Sequence, residues 1–289
     1  MPLFKHFVIT LFNLAIWPKD KAGIDTCTPE WLEGRFNLFE KYCIPSIKAQ
    51  TEKQFIWLCL FDIDTPEIYK NRIKEYQKNI SQLRPLFLTK NEASQFIADD
   101  LQQRCAFLRH TIKASITKDD EFVITTNIDN DDAVETSFIK RIQQNFLSDP
   151  KEGLLSMNSG LQYFPKSKII IRMSYPHNHF MTLIERADND IKTIKFYKHA
   201  KISKIYKTIN ISERPYWVEI IHCHNVNNDI RITSRIHYYA IISNYSLKNY
   251  GLNISMTWKR NLFNTLFILP VYFLKIALRK LYKKITKKH

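Results

Sequence analysis

The stretch Phe122-Val-Ile-Thr-Thr-Asn-Ile128, followed directly by Asp129-Asn130-Asp131-Asp132, decides the fold. Its first seven residues are mostly β-branched, aromatic or aliphatic, which predicts a strand buried on both faces. The four polar residues then stand at the carboxyl end of that strand. In open α/β sheets, ligands bind outside the carboxyl ends of the strands. The stretch therefore predicts an α/β sheet with a polar site at its end.

Buried strands are also predicted earlier in the chain, at Phe7–Leu11 and Phe55–Phe61. Apolar residues at helical spacing separate these strands, and helical connections between buried strands indicate a mixed, mostly parallel sheet with helices on both faces. The predicted helices are Glu30–Cys43, one that starts at Thr65-Pro66-Glu67, Ile97–Ile116, one that contains Phe138, Ile142 and Phe146, and Phe180–Arg186. The remaining predicted strands are Pro85–Thr89, Leu154–Asn158, Lys168–Met173, Lys192–Tyr197 and Trp217–His222.

Charge is distributed unevenly along the 289 residues. The net charge is +15, yet the segment from Ile230 to His289 contains 12 Lys or Arg and no acid, so the body is nearly neutral. We predict a first domain at 1–228 and a basic extension at 229–289. A chain with this pattern is not expected to bind nucleic acid, because a nucleic-acid-binding domain usually has clustered Lys and Arg on its own surface. The five cysteines include no C-x-x-C pair, which indicates buried thiols.

The last 32 residues combine apolar and basic character. Asn261–Leu278 is mostly apolar, although Pro270 and Lys275 interrupt it, and nine Lys or Arg lie between Trp258 and His289. We predict an amphipathic helix in about 258–289 that lies on an anionic membrane surface. A spanning helix and a core-packed helix with a solvated tail are the alternatives.

The acidic cluster predicts a site for a divalent cation. Three carboxylates at one strand end repel one another unless a cation joins them, and oxygen ligands suit Mg²⁺ or Mn²⁺. The D-x-D spacing alone is weak evidence, because it also occurs at Asp62/Asp64 and Asp188/Asp190. Helix capping by Asp131 or Asp132 is the alternative.

Several spaced motifs together resemble the "putative rhamnosyltransferase" family of bacterial GT-A-type glycosyltransferases. The resemblance covers about residues 3–228. The motifs are Phe12-Asn13, Trp31-x3-Arg35-x3-Phe39-Glu40-x-Tyr42-Cys43-x-Pro45-Ser46, Gln50-Thr51, Phe55-x-Trp57, Asp62, Thr125 to Ala133, and Pro215-x-Trp217-x3-Ile221-His222 with Asn225. The chain differs from the family pattern at Leu11 and Asn127, where arginine is expected.

The resemblance implies a GT-A-like fold and a nucleotide-sugar donor held with a divalent metal. It implies Asp129, Asp131 and His222 as metal ligands, with Asp129 also near the ribose. The implied donor-binding residues are Thr10, Asn13, Arg35, Asp62, Arg109 and Asp129. An inverting transferase needs a general base. Glu185 is the first candidate, followed by Asp132 and Glu219.

We therefore expect a metal-dependent glycosyltransferase of the hexosyltransferase type, for which rhamnose is one candidate sugar. It would act at the cytoplasmic face of a bacterial inner membrane, with a glycan or lipid-linked glycan as acceptor. A metal-dependent nucleotidyl- or phosphotransferase, or a non-enzymatic protein that binds polyanions or membranes, are the alternatives.

Overall fold

The computed structural model of the chain describes residues 2–19, 23–188, 190–197, 199–222 and 235–286. The strands are β1 (Phe4–Leu11), β2 (Ile56–Asp62), β3 (Leu83–Leu88), β4 (Phe122–Asn127), β5 (Ala133–Val134), β6 (Gly153–Met157), β7 (Ser159–Phe164), β8 (Ile169–Ser174), β9 (Thr182–Arg186), β10 (Thr208–Ile211), β11 (Trp217–Ile220), β12 (His237–Tyr239), β13 (Tyr245–Ser246) and β14 (Ser255–Met256). The helices are α1 (Pro29–Leu38), α2 (Ile44–Lys48), α3 (Glu67–Asn79), α4 (Lys90–Ser94), α5 (Ala106–Ser115), α6 (Phe138–Ser148), α7 (His199–Ile202), α8 (Trp258–Phe263) and α9 (Leu269–Thr286).

A seven-stranded sheet with the order β10-β6-β9-β4-β1-β2-β3 forms the centre of the molecule. Strands β3, β2, β1 and β4 are parallel, and β9 runs antiparallel between β4 and β6. The predicted mixed, mostly parallel sheet is confirmed. Because the four parallel strands end on the same side, the loops that follow β1, β2 and β4 converge there.

Helices cover both faces of this sheet, as predicted. Side chains alternate along β1, so that Val8 packs in one core with α1, α3 and α6, while Phe7 and Ile9 pack in the other with α5. Thr28 caps α1 by accepting a hydrogen bond from the Trp31 backbone N–H, with proline at the first helical position.

A second sheet with the order β12-β8-β7-β11-β5 lies beside the first. Its strand β11 follows Pro215, and its strand β12 comes from the segment that follows residue 234. Residues Leu247, Tyr250, Leu252 and Met256 share a core with this sheet. Part of the predicted 229–289 extension thus packs into the body, whereas the boundary at 228/229 lies outside the described residues.

Three predicted elements are wrong. The helix at Ile97–Ile116 begins only at Ala106, because Cys105 has left-handed backbone dihedrals (φ 53°) and Ile97 is exposed. The predicted helix Phe180–Arg186 contains strand β9 (Thr182–Arg186) instead, since its neighbours β4 and β6 both offer hydrogen-bonding partners. Lys192–Tyr197 forms turns, which the side chains of neighbouring residues stabilise.

Two π-helical stretches, Phe39–Cys43 and Asn264–Ile268, each end two residues before a proline. Proline lacks an N–H and its ring clashes with the carbonyl four residues earlier, so a locally wider helix accommodates it. The second stretch joins α8 to α9 and gives the predicted C-terminal helix.

The predicted buried thiols are confirmed for three of the cysteines. Cys43, Cys59 and Cys105 are buried, Cys27 is half-buried, and Cys223 lies outside the described residues.

Candidate functional site

Polar side chains from the loops after β1, β2 and β4 meet at the carboxyl ends of the parallel strands. Asn130 Nδ2 donates hydrogen bonds to the carbonyl oxygens of Leu11 (3.0 Å) and Phe12 (2.9 Å), which joins the ends of β4 and β1. The Asn13 side chain joins the ends of β1 and β2, since its Oδ1 accepts from the Asp62 backbone N–H at 3.2 Å. The acidic cluster is therefore fixed against the sheet.

Asp129, Asp132 and His179 form a group whose ligand atoms all lie within 4.8 Å of one another. His179 Nε2 lies 2.8 Å from Asp132 Oδ2 and 3.7 Å from Asp129 Oδ2. The Asp132 carboxylate is fully buried, and its other oxygen accepts from the Ile220 backbone N–H at 2.8 Å. The Asp129 side chain is 41% exposed, so the group opens to solvent on that side.

The register of the antiparallel pair β4–β9 explains how His179 reaches the cluster. Thr126 lies opposite Thr182, and the same register continued by three residues places His179 opposite Asp129. Asn178 fixes the connection, because its Nδ2 donates to the backbone oxygens of Met157 and Tyr175. No pattern in the sequence indicated this role for His179, because a helix was predicted from Phe180 onwards and only a strand there reveals the pairing with β4.

The electrostatics of the group suit a cation. Burial raises the pKa of the Asp132 carboxyl, the Asp131 carboxylate raises it further, and His179 opposes this only in part. Burial lowers the pKa of His179, but Asp129 and Asp132 outweigh burial and raise it to about 9. The pair thus retains a proton at neutral pH, and a bound metal would replace that positive charge.

Asp131 is held in a different set of contacts. Its Oδ2 lies 2.8 Å from Arg35 Nη1 and 2.9 Å from His222 Nε2, and both ends of the ion pair are buried. Burial raises the pKa of Asp131, but Arg35 and His222 outweigh it and hold the pKa well below its usual range. Arg35 Nη1 also donates to Asn130 Oδ1 at 3.1 Å.

Two carboxylates and one imidazole fit Mn²⁺ or Mg²⁺, with Mn²⁺ favoured by the nitrogen ligand. The group shares only Asp129 with the metal ligands implied by the sequence. The structure does bring Asp131 and His222 together, as that prediction requires, but Arg35 shares the same Asp131 oxygen.

The residues predicted to bind the donor fall into two sets. Asn13, Asp62, Arg35 and Asp129 lie at the site. The Thr10 hydroxyl is fully buried, donates to the Ile128 carbonyl (2.7 Å) and accepts from Trp57 Nε1 (3.0 Å), so it is not accessible to a ligand.

Arg109 and Glu185 lie outside the carboxylate group. Arg109 Nε donates to the Ile191 carbonyl at 2.9 Å, which uses this side chain to hold the protein's own backbone. Glu185 lies opposite Val123, near the start of β4 and away from Asp129. Its carboxylate accepts backbone N–H groups of Lys192 (3.0 Å) and Thr193 (2.9 Å), so we no longer place it as the general base.

Glu219 lies on β11 and is buried. It accepts a hydrogen bond from Gln162 Nε2 at 2.6 Å and contributes to the raised pKa of His179. Asn225, the last residue of the predicted motif, lies outside the described residues.

A parallel α/β sheet with a carboxylate group beyond its strand ends defines an enzyme-like ligand site of the kind found in open α/β folds. Residues 25–234 match the model of the family described as "Putative rhamnosyl transferase". The chain belongs to that family.

The chain is also similar, at low sequence identity, to several solved structures. The 1–349 segment of TarS from S. aureus is 13% identical with a TM-score of 0.41. The match covers 75% of this chain and 60% of the TarS segment. A protein described as a "putative nucleotide-diphospho-sugar transferase" from Desulfovibrio desulfuricans G20 is 9% identical with a TM-score of 0.32, and the match covers 73% of this chain and 81% of that one. Mouse xyloside xylosyltransferase 1 is 11% identical with a TM-score of 0.29, and the match covers 54% of this chain and 53% of that one. The chain thus spans about 60% of the length of the TarS segment. No curated protein matches the chain.

Proposed function

We propose that this protein transfers a sugar from a nucleotide-sugar donor to a bacterial surface glycan, with a divalent cation at Asp129, Asp132 and His179. The observation that supports this most directly is that group of three ligands at the carboxyl ends of the parallel strands. Family membership supports the class of reaction, and a rhamnosyl group is the sugar that the family description suggests.

The cation would neutralise charge on the leaving nucleoside diphosphate, which is a Lewis-acid role. Asp129 is the accessible ligand and faces solvent. Asp132 is anchored by the backbone of β11 and orients His179. Asn13 and Asp62 border the same site and are positioned to contact the nucleoside.

Glu219 is our candidate for the general base, if the reaction inverts the sugar configuration. It is a buried carboxylate on β11, and the backbone N–H of the next residue, Ile220, binds Asp132.

Thermal shift with UDP, GDP, dTDP and CMP, each with and without Mn²⁺, tests donor binding. A ligand that binds only the folded state raises its Tm by mass action. We expect a Mn²⁺-dependent shift with one nucleotide, lost in Asp129→Asn and kept in Asp99→Asn, a fully exposed carboxylate used as the matched control. A shift that survives Asp129→Asn contradicts the proposed metal site.

The product of a turnover assay separates glycosyl transfer from nucleotidyl transfer. A glycosyltransferase releases the nucleoside diphosphate and leaves the sugar on the acceptor. Release of pyrophosphate with the sugar–phosphate bond intact would instead identify a nucleotidyltransferase.

We further propose that the C-terminal helix holds the enzyme on the cytoplasmic face of the inner membrane, beside a lipid-linked acceptor. Large apolar side chains of this helix are exposed: Trp258, Leu262, Phe263, Leu266, Phe267, Val271, Leu274, Leu278 and Leu281. Leu269 and Ile276 on another face pack against β7 and β8. Asn264 Nδ2 also donates to the Lys168 carbonyl at 2.9 Å.

Trp258–Leu278 is long and apolar enough to cross a membrane by length and composition. Its packing against the body and the charge at Lys275 favour an orientation in the plane of the membrane surface instead. The basic residues at 258–289 favour anionic lipid.

A further inference from the structure

Asn127 is the last residue of β4 and comes two residues before the first carboxylate of the site. Its backbone is held by the strands on both sides. It is in register with Ile9 of β1, and its N–H donates to the Met181 carbonyl, next to β9, at 3.2 Å. The Asn127 side chain is buried. The sheet itself therefore determines where this amide lies.

The Nδ2 atom of Asn127 contacts two of the three residues proposed as metal ligands. It donates to Asp129 Oδ1 at 3.2 Å and to the His179 backbone carbonyl at 2.6 Å. A backbone carbonyl only accepts hydrogen bonds, so the amide atom beside it is the nitrogen and not the oxygen. An amide nitrogen carries two hydrogens, which matches the two acceptors. One side chain thus bridges Asp129 and His179.

The Asp129 carboxylate has few other constraints. Within the described residues its oxygens make two polar contacts: Oδ1 with the Asn127 amide, and Oδ2 with His179 Nε2 at 3.7 Å. The side chain is 41% exposed, so packing restricts it little. Without a hydrogen-bond donor the carboxylate would sample several rotamers, and ordering it around a cation would cost free energy. The hydrogen bond from Asn127 occupies one oxygen and leaves the other facing His179.

The oxygen of the Asn127 amide has no partner of its own. Oδ1 is buried and accepts no hydrogen bond from the described residues. An unpaired buried acceptor costs free energy, and a residue without that oxygen would avoid the cost. Stability alone therefore does not explain an asparagine at this position, whereas a role for its two N–H groups in the site does.

We propose that Asn127 is a positioning residue for the divalent cation, which holds Asp129 and His179 in the arrangement that binds the metal. The inference rests on the proposed function, because it concerns the same site. Asn127 is not itself a ligand, and it acts through the two residues that it bridges. Its amide is neutral, so it orients Asp129 without cancelling the negative charge that attracts the cation.

The affinity of Asn127→Leu for Mn²⁺ tests this assignment. The probe is Mn²⁺ alone, titrated into the purified protein, with the EPR signal of free Mn²⁺ as the measure of binding. We expect the Kd to rise about 10- to 100-fold, as is typical when a hydrogen-bonding partner of a metal ligand is removed. Asn127→Thr retains one hydroxyl donor and should give an intermediate Kd. It also replaces Asn127→Leu in the test if the leucine variant does not fold.

Asn158→Leu is the matched control, with Asn158→Thr for the threonine variant. Asn158 is as buried as Asn127, each being 7% exposed, and its Oδ1 is likewise buried without a partner. Within the described residues its side chain bonds none of the three proposed ligands, so the Kd for Mn²⁺ should stay at the wild-type value even if the Tm changes. If the Asn127 variants bind Mn²⁺ as tightly as the Asn158 variants, Asn127 has only a structural role and the proposal is overturned.

Asp129→Asn separates this outcome from a failure of the proposed function. If the wild-type protein binds Mn²⁺ and Asp129→Asn does not, the metal site stands whatever the Asn127 variants show. If Asp129→Asn binds Mn²⁺ like the wild-type protein, or if the wild-type protein binds none, the proposed metal site is wrong and the assignment of Asn127 fails with it.

Discussion

At the scale of single residues, the Arg35–Asp131 ion pair stands out by its burial. Among the pairs of an arginine or lysine with a carboxylate in the described part of the chain, it is the most buried. Removing one partner of a buried pair leaves an uncompensated charge, which typically costs 3–5 kcal/mol. We expect Arg35→Met to lower the free energy of unfolding by about 3 kcal/mol, measured by urea denaturation.

The control for this substitution is Arg186→Met, because Arg186 forms a half-exposed ion pair with Glu121. Exposed pairs contribute about 1 kcal/mol or less. Equal stabilities of the two variants would show that the Arg35–Asp131 pair does not stabilise the fold.

His6 gives the protein a pH dependence that does not involve the group of Asp129, Asp132 and His179. It is buried, bonds Thr126 Oγ1 at 2.8 Å, and burial lowers its pKa to about 3. The unfolded chain therefore binds a proton below pH 6.5 that the folded protein does not, so stability is lost as the pH falls from about 6.5 towards 3. Between pH 7 and 5 this amounts to about 2 kcal/mol.

We expect His6→Gln to show a smaller loss of unfolding free energy between pH 7 and 5 than the wild-type protein. Urea denaturation at the two pH values measures the difference, and all other titrating groups cancel in the comparison. An identical pH dependence in both proteins would contradict a buried neutral His6.

The residues of the site were predictable where they are contiguous in sequence. Asp129 to Asp132 follow one buried strand, so the chain pattern alone locates them. His179 joins them through the register of two antiparallel strands, which no local periodicity encodes.

At the scale of elements, strands β7 and β11 meet at a close contact between Gly160 and Trp217. A Cβ added at Gly160 would lie 2.1 Å from the Trp217 ring. That ring stacks on Phe180 (centroids 4.7 Å apart), which is the neighbour of His179. Bulk at Gly160 would therefore push on the segment that carries the histidine.

We expect Gly160→Ala to lower the free energy of unfolding by about 2–3 kcal/mol, in the upper range for overpacking, and to weaken the Mn²⁺-dependent nucleotide shift. Gly34→Ala is the matched control: an added Cβ there meets nothing within 4 Å, and Gly34 lies in α1. It should stabilise the protein by about 0.5–1 kcal/mol. If Gly160→Ala leaves the free energy of unfolding unchanged, the tight contact between Gly160 and Trp217 is contradicted.

Elements were predicted best where apolar runs are long. β2 and β4 were located within one residue, because continuous burial gives an unambiguous pattern. The β9 stretch has no such run, and its strand character comes from the two neighbouring strands. The backbone turn at Cys105 similarly depends on tertiary context rather than on periodicity.

At the scale of the whole molecule, the exposed apolar face of the C-terminal helix is the surface that we propose contacts the membrane. We expect the triple variant Leu266→Ser, Phe267→Ser, Leu274→Ser to lose binding to vesicles that contain anionic lipid, because the buried apolar area and charge attraction act together. Vesicle flotation measures binding, and the nucleotide-dependent thermal shift should be retained.

A triple variant at exposed apolar residues elsewhere, Ile68→Ser, Ile97→Ser and Leu101→Ser, is the control and should still float with the vesicles. If the helix variant binds as well as the wild-type protein, the helix is not the membrane contact. Binding that is equal on zwitterionic and anionic vesicles would exclude a role for the basic residues.

The pairing of β12 with β8 has a consequence for fragments of this protein. The family match ends at residue 234, whereas β12 begins at His237. A fragment cut at the family boundary would lack β12, so the backbone N–H and C=O groups of β8 at Arg172–Ser174 would lose their partners. An unprotected sheet edge of this kind is a template for aggregation, so a fragment that resists aggregation needs β12 and the later residues that pack on the same sheet.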